Sequence, residues 1–236
     1  MLAIYKREMR SYFTSVIGYV FLVLFLTVGG AMFCFTTLYA MSADVTSFYL
    51  YMMIFSGLIL PILTMKSFSE ERKIRTEALL LTAPVPLTSM VLGKFFAAFT
   101  MFGGAIVVNS LYFIFLTPYA LVKLPILLGN LLAVLLVGMV FISIGLFVSS
   151  LTENQLAAAI GTIAIILGFL GIGIVNSILP SGYWMRYIFD CISIFSRFQS
   201  YTNAYFDFAS LLYYVSVCAA FLYFTVRVYD RRRYHG

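Results

Sequence analysis

Residues 124–152 read LPILLGNLLAVLLVGMVFISIGLFVSSLT, an uncharged run of 29 residues between Lys123 and Glu153. An α-helix needs roughly 20 apolar residues to cross the hydrocarbon core of a bilayer. The run lacks the alternation of apolar and polar residues that a strand of a transmembrane barrel needs. The stretch therefore predicts a helix that crosses a membrane.

Similar uncharged runs lie on both sides of this stretch. Hydrophobic residues make up 63% of the 236 residues and charged residues 10%, which is more apolar than a soluble domain of this length can bury. We predict an all-α, polytopic membrane protein, with residues 1–236 as a single transmembrane domain. Its six transmembrane helices are expected at 16–39, 48–65, 90–117, 125–150, 156–179 and 209–228.

The basic residues indicate the orientation of the chain. If both termini lie on one side, twelve of the 15 Lys and Arg residues fall on that side, and Lys123, Arg186 and Arg197 fall on the other. Positively charged loops resist translocation, so we expect a multi-pass protein of the inner membrane with cytoplasmic N- and C-termini. The net charge of +6 then reflects contact with anionic lipid headgroups. No nucleic-acid binding is expected, since no contiguous basic face is left outside the membrane.

Residues 2–14 predict an amphipathic helix that lies on the membrane surface. Apolar and aromatic side chains fall within one arc, and basic side chains occupy the opposite side. A simple basic anchor is the alternative, because basic flanks alone would orient the first span. The residues expected at the membrane interface are Tyr5, Lys6, Arg7, Met9, Arg10, Tyr12 and Phe13.

The loop 66–90 is the largest polar segment on the predicted inner side. Ser67 and Glu70 have the spacing of a capping box, which predicts that a helix begins there. Residues 79–81 are three consecutive leucines, which point around a helix and cannot all rest on one membrane surface. Exposed apolar side chains rimmed by charge indicate a protein partner. The alternative is that the loop folds back onto its own span.

The predicted outer segment 180–208 is rich in aromatic residues. Arg186, Asp190, Ser193 and Arg197 recur at helical spacing and form one polar stripe. We predict interfacial or re-entrant helices here. Anchoring by an aromatic belt would explain most of the Trp and Tyr residues, although not the polar stripe.

Two features inside the spans predict helix contacts. Small residues recur on one face of the fifth span, where they allow close approach to a helix of the same chain or of a second copy. These residues are Ala157, Gly161, Ala164, Gly168 and Gly171. Asn109 lies in the middle of the third span, where it either lines a pathway or forms an interhelical hydrogen bond.

The sequence lacks the groups that an enzyme or an ion-coupled carrier would need. His235 is the single histidine, and no phosphate-binding GxxxxGK[ST] loop occurs. The three cysteines have no spacing typical of a metal site, and every Asp and Glu lies near a predicted membrane boundary. We therefore expect no catalytic site, no metal and no cofactor bound by this chain. Its energy source has to be external.

The chain resembles the ABC-2 type transporter permeases, closest to the gliding-motility-associated branch. The resemblance is carried by IYKREMRSYFTSVIGYVF at 4–21, by SFSEERKIRTEALLLTAPVPLTSMVLGKFFAA at 67–98 and by the six-span layout. It implies a bacterial exporter subunit with an elbow helix at 2–14, a cytoplasmic coupling helix between the second and third spans, and re-entrant helices before the sixth. It also implies a cytoplasmic ATPase subunit, which holds ATP and Mg, and a second permease, identical or homologous. The implied ATPase contacts are Glu70, Glu71, Arg72, Lys73, Arg75, Thr76, Glu77, Leu79 and Leu80.

A second hypothesis is that the ATPase drives a process other than the transport of a solute. The ATPase could drive motility, secretion or envelope assembly through an outer-side accessory protein, and no solute would then cross the membrane. An intramembrane enzyme is disfavoured, because the catalytic residues are missing. The sequence does not specify the substrate.

Overall fold

A computed structural model describes residues 1–41, 44–74, 86–116, 124–178, 193–202 and 207–235. Within these ranges the chain forms eight α-helices and no strand. They are α1 (Leu2–Thr14), α2 (Val16–Phe33), α3 (Val45–Lys73), α4 (Leu87–Leu116), α5 (Leu124–Leu151), α6 (Gln155–Ile178), α7 (Ile194–Thr202) and α8 (Phe208–His235). A π-helical segment, Cys34–Tyr39, continues α2. Six of the helices, all except α1 and α7, are long and apolar enough to cross a membrane, which confirms the prediction of six spans.

The helix α5, which contains the uncharged run 124–151, lies at the centre of the bundle. It contacts α3, α4, α6, α7 and α8. In its most apolar window 67% of the residues are buried, against 22% for α2 and for α8. The helix with the least polar sequence is therefore the one around which the others pack.

Glycines on α5 allow its neighbours to approach closely. Gly138 lies under the ring of Phe102 on α4, and Gly145 lies against the side chain of Thr64 on α3. A Cβ atom at either glycine would overlap the neighbouring side chain. Close approach at small residues is how helices associate in lipid, where no hydrophobic effect drives them together.

Aromatic side chains fill the space where α2, α3 and α4 meet, at the end of the bundle far from the N-terminus. The ring of Phe113 lies edge-on to Phe48 at 5.1 Å and to Phe33 at 5.4 Å. The hydroxyl of Tyr49 donates a hydrogen bond of 2.6 Å to Ser110. These contacts hold the three helices together where the chain leaves α2.

The start of the loop 66–90 differs from the prediction. The helix expected to begin at Ser67 is the continuation of α3, which runs without interruption to Lys73. The hydroxyl of Ser149 on α5 donates to the carbonyl of Met65 and accepts from the backbone amides of Phe68 and Ser69 at 3.1 and 3.2 Å. Packing against α5 thus overrides the local capping signal.

The close contact at Gly138 gives a test of the central position of α5. We expect Gly138→Ala to lower the midpoint of thermal unfolding in detergent, because overpacking costs about 1–3 kcal/mol. The matched control is Gly168→Ala on α6, where a Cβ meets no atom within 4 Å. That variant should be neutral or slightly stabilising, because Ala favours a helix over Gly. Equal midpoints for the two variants would contradict the packing at Gly138.

Candidate functional site

A buried lysine joins three helices at the end of the bundle that carries the N-terminus. Lys94, two turns into α4, has a side chain that is 1% exposed. Its ammonium donates hydrogen bonds to Glu8 of α1 at 3.2 Å, to Glu71 of α3 at 2.9 Å and to the carbonyl of Ser67 at 2.7 Å. All three donors of the ammonium are thereby used.

Arg7 is the second cation of this site. One of its terminal nitrogens lies 2.8 Å from a carboxylate oxygen of Glu8 and 2.8 Å from one of Glu71. Burial alone would lower the pKa of Arg7, but the hydrogen bonds and charges of the two carboxylates outweigh it and raise the pKa above its usual value. We call Arg7, Glu8, Glu71 and Lys94 the charge cluster. Its two positive and two negative charges balance.

A polar cavity of about 270 Å³ lies beside the charge cluster, between α1 and the last turns of α3. The buried hydroxyls of Tyr12 and Ser67 line it and have no hydrogen-bond partner among the described residues. Burial, reinforced by the negative charge of Glu8, raises the pKa of Tyr12. The tyrosine therefore stays protonated at neutral pH.

Two arginines bind the C-terminal end of α5 close to the charge cluster. Arg72 of α3 donates to the carbonyl of Leu151 at 3.0 Å and pairs with Glu153 at 2.9 Å. Arg232 of α8 donates to the carbonyl of Ser150 at 2.7 Å. The last carbonyls of a helix lack partners within the helix and carry partial negative charge, so cations are favoured there.

These contacts connect the end of α3 to three other helices, and we call this end of α3 the junction. Its last two turns are bonded through the charge cluster to α1 and α4, and through Arg72 to α5. The chain continues from α3 directly into the segment 75–85, which lies outside the described residues. That segment is joined along the chain to the part of α3 that holds the other helices. We call this end of the molecule, defined by Arg7, Lys94, Arg72 and Arg232, the basic end.

The residues predicted to contact an ATPase have different positions. Glu70 pairs with Lys66 at 3.2 Å, Glu71 belongs to the charge cluster, and Arg72 is bound to α5. Lys73 is exposed. The remaining predicted contacts lie in the segment outside the described residues: Arg75, Thr76, Glu77, Leu79 and Leu80.

The residues of the predicted elbow helix form α1, and its role as an elbow helix stays a prediction. The apolar side of α1 is partly packed against the bundle and partly exposed. Tyr12 is 5% exposed, and Met9 packs against the core. The hydroxyl of Tyr5 donates to Thr100 of α4 at 3.2 Å. Lys6, Arg10 and Phe13 are exposed. The helix is therefore bound to α4 as well as being available to a membrane surface.

Asn109 is fully buried between α4 and α2. Its amide lies against Gly29 and donates a long hydrogen bond of 3.5 Å to the carbonyl of Phe25. This position favours the interhelical hydrogen bond. The alternative, that Asn109 lines a pathway, stays a prediction.

The small residues of α6 point away from most of the described chain. Ala157 and Ala164 are exposed, and Gly168 and Gly171 have nothing within 4 Å of an added Cβ. Only Gly161 of this set approaches a neighbour, Val148 of α5.

The structure describes two of the four residues of the predicted outer stripe. Ser193 accepts a hydrogen bond from the amide of Ser196 at 3.2 Å and so caps α7. Arg197 lies 4.5 Å above the ring of Tyr213 on α8. Arg186 and Asp190 lie outside the described residues.

Glu8 and the role of Lys94 were not predicted from the sequence. The signal was present, because Lys94 stands alone in the apolar context VLGKFFAAF and Glu8 is the one acidic residue of α1. A lone cation flanked by apolar residues needs a counter-charge. Its partners depend on which helices are adjacent, and the sequence does not state that. In the part of the chain that the structure describes, no group of three His, Cys, Asp or Glu side chains could hold a metal.

Comparison with known families gives a match to the family described as ABC-2 family transporter protein, over residues 34–233. The match runs from the π-helical segment into the last turn of α8. It includes Glu71 and Lys94, and leaves out Arg7 and Glu8 on α1. No curated protein matches the chain.

The charge cluster predicts a large effect of removing its buried cation. We expect Lys94→Met to destabilise the protein by about 3–5 kcal/mol, because two partly buried carboxylates lose their counter-charge. The matched control is Lys66→Met, which removes a surface pair worth less than about 1 kcal/mol. Thermal unfolding in detergent measures both.

A rescue variant separates the lost charge pairing from lost packing. Adding Glu8→Gln and Glu71→Gln to Lys94→Met removes the unpaired negative charge, and should restore part of the stability. If Lys94→Met is as stable as Lys66→Met, the cluster does not hold the helices together.

Proposed function

The chain belongs to the ABC-2 family of transporter proteins, and we propose that it is the membrane-spanning subunit of an ATP-driven exporter whose ATPase is a separate cytoplasmic protein. Membership of the family supports a permease, a membrane transport component that is generally not catalytic itself. The proposal adds two points to this membership: the subunit exports its substrate, and a separate cytoplasmic ATPase supplies the energy. The observation that carries it is the continuous helix α3, which is bonded to α1, α4 and α5 just before segment 75–85.

The basic end is proposed to face the cytoplasm. It carries Arg7, Arg72, Lys94 and Arg232 together, and basic residues favour the untranslocated side. Both the N-terminus and the end of α8 then lie in the cytoplasm, and the protein is proposed to reside in a bacterial inner membrane.

The ATPase is proposed to bind the segment that follows α3. Glu71 and Arg72 are engaged inside the chain, so the direct contact is assigned to Lys73, Arg75, Thr76, Glu77, Leu79 and Leu80, with Glu70 at its edge. The leucines would fill an apolar cleft of the ATPase, and the charged residues would surround it. ATP and Mg would be held by the ATPase alone.

In the proposed mechanism, closure of the ATPase on ATP displaces the docked segment. The last turns of α3 move with it, because α3 is continuous to Lys73 and the segment follows directly after Ile74. The charge cluster carries α1 and α4 along, and Arg72 carries the end of α5. A rigid-body rotation of these helices would open the pathway toward the opposite side.

A second permease, identical or homologous, completes the proposed assembly. The exposed small residues of α6 support a contact with a helix from another subunit, because lipid offers such a face no packing partner of its own.

A role in motility, secretion or envelope assembly stays a prediction, as does the accessory protein it requires. The family match is to the ABC-2 family as a whole. The resemblance to the gliding-motility branch is not supported by it.

The docking assignment is tested by charge reversal at Glu77. We expect Glu77→Lys to reduce co-purification of the proposed ATPase subunit by at least about tenfold, because the reversed charge places like charges across the proposed interface, which cost several kcal/mol. The control is Asp230→Lys, a partly exposed acidic residue near the end of α8 at the same end of the bundle, whose ion pair is with Arg227 and not with α3. Thermal unfolding should show that both variants are folded. Undiminished co-purification with Glu77→Lys, even when Leu79→Asp and Leu80→Asp are added, would contradict the assignment.

A further inference from the structure

An apolar groove of about 560 Å³ lies between the first turns of α4 and the last half of α8. Its apolar walls are formed by Leu87 and Val91 on α4 and by Leu222 and Val226 on α8. None of the four residues of the charge cluster lines it. The groove is therefore a feature separate from the junction described above.

Charged side chains rim the groove at the basic end. Arg227 is held in place there, because its Nε donates to the hydroxyl of Tyr223 at 2.7 Å and its guanidinium lies 5.1 Å from the centre of that ring. Asp230 lies 3.8 Å from Arg227 and neutralises one positive charge. Arg233 also lines the groove and is exposed, so the rim keeps a net positive charge.

The order of residues along α8 gives the depth of the groove in the membrane. Leu222 and Val226 belong to the apolar part of the helix, and charged residues begin at Arg227. The wall of the groove on α8 thus lies at the level of acyl chains and the charged rim at the level of headgroups. A guanidinium donates two parallel hydrogen bonds to a phosphate, and basic pockets between transmembrane helices bind anionic lipid headgroups.

We propose that this groove is a binding site for an anionic phospholipid of the adjacent leaflet. One acyl chain lies along Leu87, Val91 and Leu222, and the phosphate binds Arg227 and Arg233. The net positive rim selects an anionic lipid over a zwitterionic one, because the headgroup of the latter brings a cation to the two arginines. This site does not depend on the proposed docking of an ATPase.

The test uses the purified full chain, delipidated in detergent, titrated with phosphatidylglycerol or with phosphatidylcholine of the same acyl chains. Native mass spectrometry counts the bound lipid, and the midpoint of thermal unfolding reports its effect on stability. We expect the wild-type protein to bind phosphatidylglycerol about tenfold more tightly than phosphatidylcholine and to be stabilised by it.

Two sets of variants locate the binding. The double variant Arg227→Gln, Arg233→Gln should lose the preference for phosphatidylglycerol. The control Arg10→Gln, Arg231→Gln removes two exposed positive charges outside the groove and should keep it. Leu222→Trp fills the groove and should weaken the binding of both lipids.

Three outcomes would overturn the proposal. The two lipids could bind equally to the wild-type protein, or the control pair could lose the preference as fully as the groove pair, which would indicate diffuse surface charge. The groove could also be occupied by a second copy of the chain, which cysteine cross-linking between Val91 and Leu222 positions of different subunits would show. Circular dichroism confirms that each variant keeps its helices.

Discussion

The buried ammonium of Lys94 is the constraint on which the basic end of the molecule depends. An unpaired charge at that depth would cost several kcal/mol, so carboxylates have to be supplied from neighbouring elements. One comes from Glu8 on α1 and the other from Glu71 on α3. The amphipathic helix α1 is therefore held against the bundle by ionic contacts, and part of its apolar face packs against α4. Arg7 then balances the second negative charge and places the site at the boundary between protein and solvent.

The junction is connected to the central helix α5 through Arg72. Gly145 and Gly138 let α3 and α4 approach α5 closely, and arginines from α3 and α8 bind its last carbonyls. The rings of Phe68 and Tyr229, 5.0 Å apart, extend the contact from the charge cluster to α8. Charged contacts at one end and close packing in the middle hold α1, α3, α4 and α5 together. In the proposed mechanism, such contacts would pass a movement of segment 75–85 on to all four helices.

The spans could be predicted from the sequence because length and hydrophobicity are local properties. The family resemblance was confirmed at the level of ABC-2 transporter proteins. The charge cluster could not be predicted, because the partners of Lys94 lie on helices whose adjacency is a property of the whole bundle. Ser67 and Glu70 gave a misleading signal, since a capping box states only a local preference and Ser149 supplies contacts that continue α3. Small residues were singled out from the sequence in α6 alone. Spacing did not reveal that Gly138 and Gly145 of α5 pack against α4 and α3, whereas a Cβ added at Gly168 or Gly171 meets no described atom within 4 Å.

The central claim is that the charge cluster makes α1 and the end of α3 move together when the ATPase acts. The most direct test is the distance between spin labels at Lys6 on α1 and at the exposed Ile74, which follows α3. It is measured by pulsed electron resonance in the assembled transporter, in a background without cysteines. The account predicts one narrow distance that is the same without nucleotide and with ATP bound, and a broad or shifted distance once Lys94→Met is introduced. A change of several ångströms on ATP binding with Lys94 intact would contradict it.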